Sequence, residues 1–88
     1  MKLTATVKVK NRLGLHIRPA TAIVKLLQSS RSSVFFTCKG QTVNAKSIMS
    51  LLVLSAQKNT KINILVEGED AQGVLEKLIH GFDSLFGE

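Results

Sequence analysis

Gly14-Leu15-His16-Ile17-Arg18-Pro19-Ala20 sets a histidine ahead of a proline and an apolar stripe. Ala20, Ile23, Val24 and Leu27 fall at i, i+3, i+4 and i+7, so a helix begins near Ile17 to Pro19. Proline suits a first helical turn, where a backbone N–H has no intrahelical partner to lose. His16 is thereby placed at or beside the N-cap. The free N–H groups of Ile17 and Arg18 are expected to point toward its side chain. A helix N-terminus with a cation two residues past the histidine favours an anion, and phosphate is the commonest. The same positive field disfavours imidazolium and leaves a ring lone pair for nucleophilic attack.

Outward from this stretch, the periodicity changes. Leu3, Ala5, Val7 and Val9 alternate with Thr4, Thr6 and Lys8, which reads as a half-buried strand over residues 3–9. Residues 10–15 form a loop, and the first helix runs to about Ser29. Ser29 to Ser32 make a polar break. Val34 to Cys38 read as a second strand, Lys39-Gly40 as a tight turn and Gln41 to Asn44 as a short third strand. A second helix is predicted from about Ser47 to Gln57, with Ile48, Leu51, Leu52 and Ser55 on one face. Met49, Val53 and Leu54 widen its stripe, and Lys58-Asn59 ends it. Ile62, Ile64 and Val66 mark a fourth strand. Val74, Leu75, Leu78, Ile79, Phe82 and Leu85 or Phe86 line a last helix, whose early acids oppose its dipole. The order β-α-β-β-α-β-α predicts an α+β fold with helices on one face of a small sheet and the other face wet.

With 88 residues, the chain has room for one core, so residues 1–88 are expected to form a single domain. No apolar run approaches the roughly 20 residues of a membrane span, and no secretory apolar region opens the chain. Cys38 has no partner for an internal disulfide, which favours a cytoplasmic setting and a small buried residue. The net charge is +6, and all six acids lie in the last 22 residues, while eleven of twelve basic residues precede Glu67. Such a basic stretch fits an acidic or phosphorylated partner, or simply a solvated face. Nucleic acid fits least, because Trp and Tyr are absent and no basic run or recognition signature appears.

His16 has three readings: a chance cap, a structural histidine bonded to backbone, or a phosphoryl acceptor. Phosphoryl transfer needs a nucleophile and fixed donors for the equatorial oxygens, which helix N–H groups and Arg18 can supply. A cation at a helix start is poorly placed unless an anion compensates it. Ser47 reads as an N-cap, and its hydroxyl also suits phosphorylation beside Met49 and Leu52. Met49 and Leu52 are either core or part of a contact patch. His80 has no acid–base or metal partner nearby and reads as structural or solvent-facing. No metal-ligand spacing appears.

These residues resemble HPr, the histidine-containing phosphocarrier family of the bacterial phosphoenolpyruvate-dependent phosphotransferase system. The likeness spans the whole chain. It rests on Gly14 to Ala20 and on Val43-Asn44-Ala45-Lys46-Ser47-Ile48-Met49. The resemblance implies an HPr-like open-faced β-sandwich, with a four-stranded antiparallel sheet and three helices on one side. It implies that His16 takes a phosphoryl group on Nδ1 from enzyme I and passes it to a sugar-specific enzyme IIA. Arg18 and the Ile17 and Arg18 backbone would hold that phosphate. Ser47 matches a serine modified by an HPr kinase/phosphorylase in many bacteria. Ile48, Met49 and Leu52 would belong to the docking surface. The resemblance implies a carrier rather than a turnover enzyme, monomeric, without cofactor, metal or membrane insertion. A regulatory module of the nitrogen-type paralogue, controlled by phosphorylation, is the competing reading. Two departures stand out: Ile17 replaces the family's usual alanine, and Ser55 to Lys61 lacks its usual glycines.

Overall fold

Alternation of apolar and polar residues builds the sheet, and 3.6-residue periodicity builds its cover. The computed structural model describes residues 1–88. Strands β1 (Lys2–Lys8), β2 (Ser33–Cys38), β3 (Gln41–Asn44) and β4 (Lys61–Glu67) form one sheet in the order β1-β4-β2-β3. Every pairing is antiparallel. Helices α1 (Ile17–Leu27), α2 (Ile48–Leu54) and α3 (Ala71–Asp83) lie on one face, and a 3-10 turn (Leu85–Gly87) follows α3. The helices cover one face, as the element order predicts, and the antiparallel open-faced β-sandwich is the one the resemblance implies.

Register puts the inward residues in rows. Val66 lies between Leu3 and Val34, and Ile64 lies between Ala5 and Phe36. Against these rows pack Ala20, Ile23 and Leu27 of α1, Leu51 and Leu54 of α2, and Val74, Leu78 and Phe82 of α3. Each large apolar side chain fully buried here contributes about 1.5–3 kcal/mol of transfer free energy. The other face is polar: the Thr6 hydroxyl donates to Asn63 Oδ1 at 2.8 Å, and the Thr37 and Thr42 hydroxyls meet at 2.7 Å. Cys38 is buried, as its apolar run predicts.

Three expectations need correction, and one acid at a helix start finds a different role. Helix α2 stops at Leu54 rather than near Gln57, because Ser55 turns left-handed at φ 52°. Its buried face is Leu51 and Leu54, with Ile48 and Leu52 only half-buried and Ser55 exposed. Strand β1 closes at Lys8. Val9 still enters the core, tied by its N–H to the Thr60 carbonyl and by its carbonyl to the Asn59 N–H. Asp70 sits at the N-cap of α3 but does not cap it. Its carboxylate instead accepts from the Ser32 hydroxyl and, at 2.9 Å, from the Arg31 N–H. Those two bonds, the Ser32 hydroxyl first, hold the Asp70 carboxyl below the usual carboxylate range.

The end of the chain also differs from a simple helix. Residues Leu85 and Phe86 both adopt positive φ, at 61° and 48°, which folds the backbone back over α3. Phe86 then stands edge-on to Phe82, with ring centroids 4.9 Å apart. Gly81 makes room for it, since a Cβ there would come within 2.2 Å of the Phe86 ring. This reversal carries Glu88 toward the start of α1.

Candidate functional site

The loop before α1 is pinned at Gly14. Its φ of 70° suits glycine, and an added Cβ would lie 2.3 Å from the Ala56 carbonyl oxygen. That same carbonyl accepts the Leu15 N–H at 2.9 Å. The shortened end of α2 thus supplies the wall against which the loop turns.

His16 is the N-cap of α1, with extended backbone at φ −79° and ψ −171°. Its carbonyl accepts the Ala20 N–H at 3.0 Å, closing the first turn. Pro19 is buried in that turn, and the Thr21 hydroxyl donates to the Ile17 carbonyl at 2.7 Å. The imidazole forms no capping bond to the Ile17 or Arg18 amide. Neither amide has a partner in the chain. At a helix start such amides remain free for an external acceptor.

The two ring nitrogens differ sharply. Nε2 is shut off from solvent, 2.6 Å from Glu88 Oε2. The two atoms are in close polar contact without the alignment of a hydrogen bond. Nδ1 is neither hydrogen-bonded nor enclosed, and it is the nitrogen that an incoming group can reach. The side chains of His16 and Glu88 keep only 25% and 21% of their exposure.

Glu88 is held in turn by Asn11, a buried residue. Asn11 Nδ2 donates to Glu88 Oε1 at 2.5 Å and to the Leu85 carbonyl at 2.9 Å. Two acceptors on one side fix which end of the amide is nitrogen. The Asn11 bond is the main cause holding the Glu88 carboxyl below the usual carboxylate range. The His16 ring, by contact and charge, and the Arg18 charge add to it, while desolvation opposes it. Neither Asn11 nor Glu88 is foreseen from the sequence. They stand 77 residues apart, and no local pattern joins them.

Arg18 is exposed and makes no ion pair, so its guanidinium is free. It shares a shallow cleft with Ile17, Lys25, Phe86 and Glu88. Ile17 is 54% exposed, presenting an apolar surface directly beside His16. Ser47 caps α2, its hydroxyl accepting the Ser50 N–H at 3.2 Å. Helix α2 packs along α1, but no cleft joins Ser47 to His16. Met49 is 71% exposed and belongs to the surface, whereas Leu52 leans on the core. His80 is exposed. No group of side chains with metal-binding composition is present.

Fold and site together define an α+β protein that offers one histidine nitrogen at the positive end of a helix, beside a free arginine. Residues 3–84 match the family model described as the PTS HPr component phosphorylation site. The chain is 44% identical to the phosphocarrier protein HPr of Chlamydia pneumoniae, over 99% of this chain and 81% of that one. The solved structure of HPr-C-His from Thermoanaerobacter tengcongensis superposes with a TM-score of 0.93 at 31% identity, covering 98% and 97% of the two chains. A domain-swapped dimer of Crh, a catabolite repression protein of Bacillus subtilis, matches at 38% identity and a TM-score of 0.71, covering 86% of each chain. The chain belongs to the HPr family of phosphotransferase-system phosphocarriers.

Proposed function

We propose that this chain relays a phosphoryl group from phosphoenolpyruvate, through enzyme I, to enzyme IIA components, carried as phosphohistidine on His16. The observation that carries this reading is the division of the ring: Nε2 is enclosed, and Nδ1 is open beside unpartnered helix amides. The Nδ1 lone pair attacks phosphorus as the bond to the donor breaks. The Ile17 and Arg18 N–H groups and the Arg18 guanidinium face the equatorial oxygens, where charge must be held throughout transfer. The protein is a substrate in one exchange and a donor in the next, so it is a carrier and not a turnover enzyme. It acts as a monomer in the cytoplasm, without a cofactor. Ile48, Met49 and Leu52 form part of the docking surface, and Ile17, directly after His16, changes how closely a partner approaches.

Ser47 is the regulatory site of this reading, modified by an HPr kinase/phosphorylase where the cell has one. Its hydroxyl now caps α2. Phosphorylation exchanges that cap for a dianion at the same helix start and repels an acidic partner from Met49. The likeness to Crh supports a second reading: a regulatory module whose phosphorylation state selects its binding partner, not coupled to sugar uptake.

Enzyme I and phosphoenolpyruvate, added to the purified chain and followed by intact mass and phosphorus NMR, test the first reading. One acid-labile phosphate is expected, absent from His16→Ala. No phosphate, with enzyme I active on another HPr, overturns it.

A further inference from the structure

Nothing in carrying a phosphoryl group requires the ring's far nitrogen to be sealed. Yet Nε2 is sealed, and by a carboxylate from the opposite end of the chain. A buried amide that bonds both Leu85 and Glu88 fixes this carboxylate. Phe86 anchors the same turn against α3. Two separate devices therefore hold one oxygen pair beside one nitrogen.

We propose that Glu88, locked by Asn11, is a positioning residue for His16: its carboxylate keeps the ring proton on Nε2 and presents the Nδ1 lone pair to the phosphoryl group. The proposal rests on the carrier reading of His16. In a neutral imidazole one nitrogen bears the proton and the other the lone pair, and the partner of the first decides which is which. A carboxylate accepts only, so it selects the tautomer with the proton on Nε2.

Charge bookkeeping points the same way. When Nδ1 bonds to phosphorus, the electron pair of the breaking bond leaves with the donor, and the ring gains positive charge. The Nε2 proton stays in place, and Glu88 faces that charge at 2.6 Å. Catalytic hydrogen bonds are often poorly aligned before substrate arrives, and a modest ring rotation brings this one into line. Arg18 lines a cleft with Glu88, and its charge acts on the same carboxylate. One carboxylate thereby borders both the nucleophile and the residue assigned to the phosphate.

The test uses the full chain, labelled with nitrogen-15 in histidine and unphosphorylated. In wild type the His16 ring is expected to show its proton on Nε2, exchanging slowly with water. In Glu88→Ala that exchange accelerates at least about tenfold, and transfer from enzyme I slows about tenfold at saturating enzyme I, the loss of one charge-assisted bond. Glu88→Gln, which keeps an acceptor but no charge, falls between. His80, exposed and remote in the sequence, serves as the internal control. A His16 ring spectrum unchanged in Glu88→Ala overturns the proposal. A changed ring with an unchanged transfer rate also overturns it, since the contact then serves no chemistry. If the ring responds as expected but wild type takes no phosphate from an active enzyme I, the carrier reading fails by itself and the tautomer assignment stands.

Discussion

Gly14 ties fold to site more tightly than any other residue in the loop. Its left-handed backbone and its contact with the Ala56 carbonyl leave no space for a side chain. Gly14→Ala should lose about 2–4 kcal/mol, from a strained φ and an overpacked contact. Urea unfolding measures this, and a loss within experimental scatter would remove Gly14 from the account. Asp70 makes a different prediction. Its carboxyl is held low in the folded chain by the Ser32 hydroxyl and the Arg31 N–H. A depressed carboxyl contributes stability above its unfolded value and loses it as pH falls through the folded value. Wild-type urea midpoints should therefore drop as pH is taken below the ordinary carboxylate range, and less steeply in Asp70→Asn. Equal slopes would refute the assignment. Such residue-scale facts were unequally legible. His16, Arg18 and Ser47 stand out in the sequence because local pattern places each at a helix start. Asn11 and Glu88 do not, because their meeting depends on how the last turn folds back across the whole domain.

At the scale of elements, periodicity located every α-helix and strand but misplaced some of their ends. Nothing between Ser55 and Lys58 announces a stop, since a left-handed residue is usually a glycine and here it is a serine. That early stop lets Ala56 reach the loop before α1. The turn after α3 was equally hidden: Leu85 and Phe86 read as more helix, yet both adopt positive φ. The packing gives the reason. Gly81 leaves a hollow on α3 that receives the Phe86 ring, with Phe82 at its edge. Gly81→Ala fills the hollow and should expel the ring while leaving the sheet intact. The turn then releases Glu88, so the His16 ring proton should exchange as fast as in Glu88→Ala. A Gly81→Ala chain with an unaltered His16 ring would show that Asn11 alone holds the carboxylate.

Across the whole molecule, charge is sorted by position in the chain, and the fold turns that order into a surface. The two clefts at the start of α1 contain Arg12, Arg18 and Lys25 and only one acid, Glu88. The Glu88 charge is engaged by Asn11 and His16, so the field an approaching partner meets is positive. A relay works through brief encounters, and for these the long-range field governs how often partners meet rather than how long they stay. Raising salt from about 0.1 M to about 1 M shortens the screening length from about 10 Å to about 3 Å. The second-order rate of transfer from enzyme I should then fall by roughly tenfold or more. Lys25→Ala separates steering from contact. It should slow encounter a few-fold at low salt, leave the rate at saturating enzyme I unchanged, and converge on wild type at high salt. Rapid-quench kinetics at both salt levels decide the matter. A deficit that persists at high salt would make Lys25 a contact residue, and a wild-type rate indifferent to salt would remove electrostatic steering from the mechanism altogether.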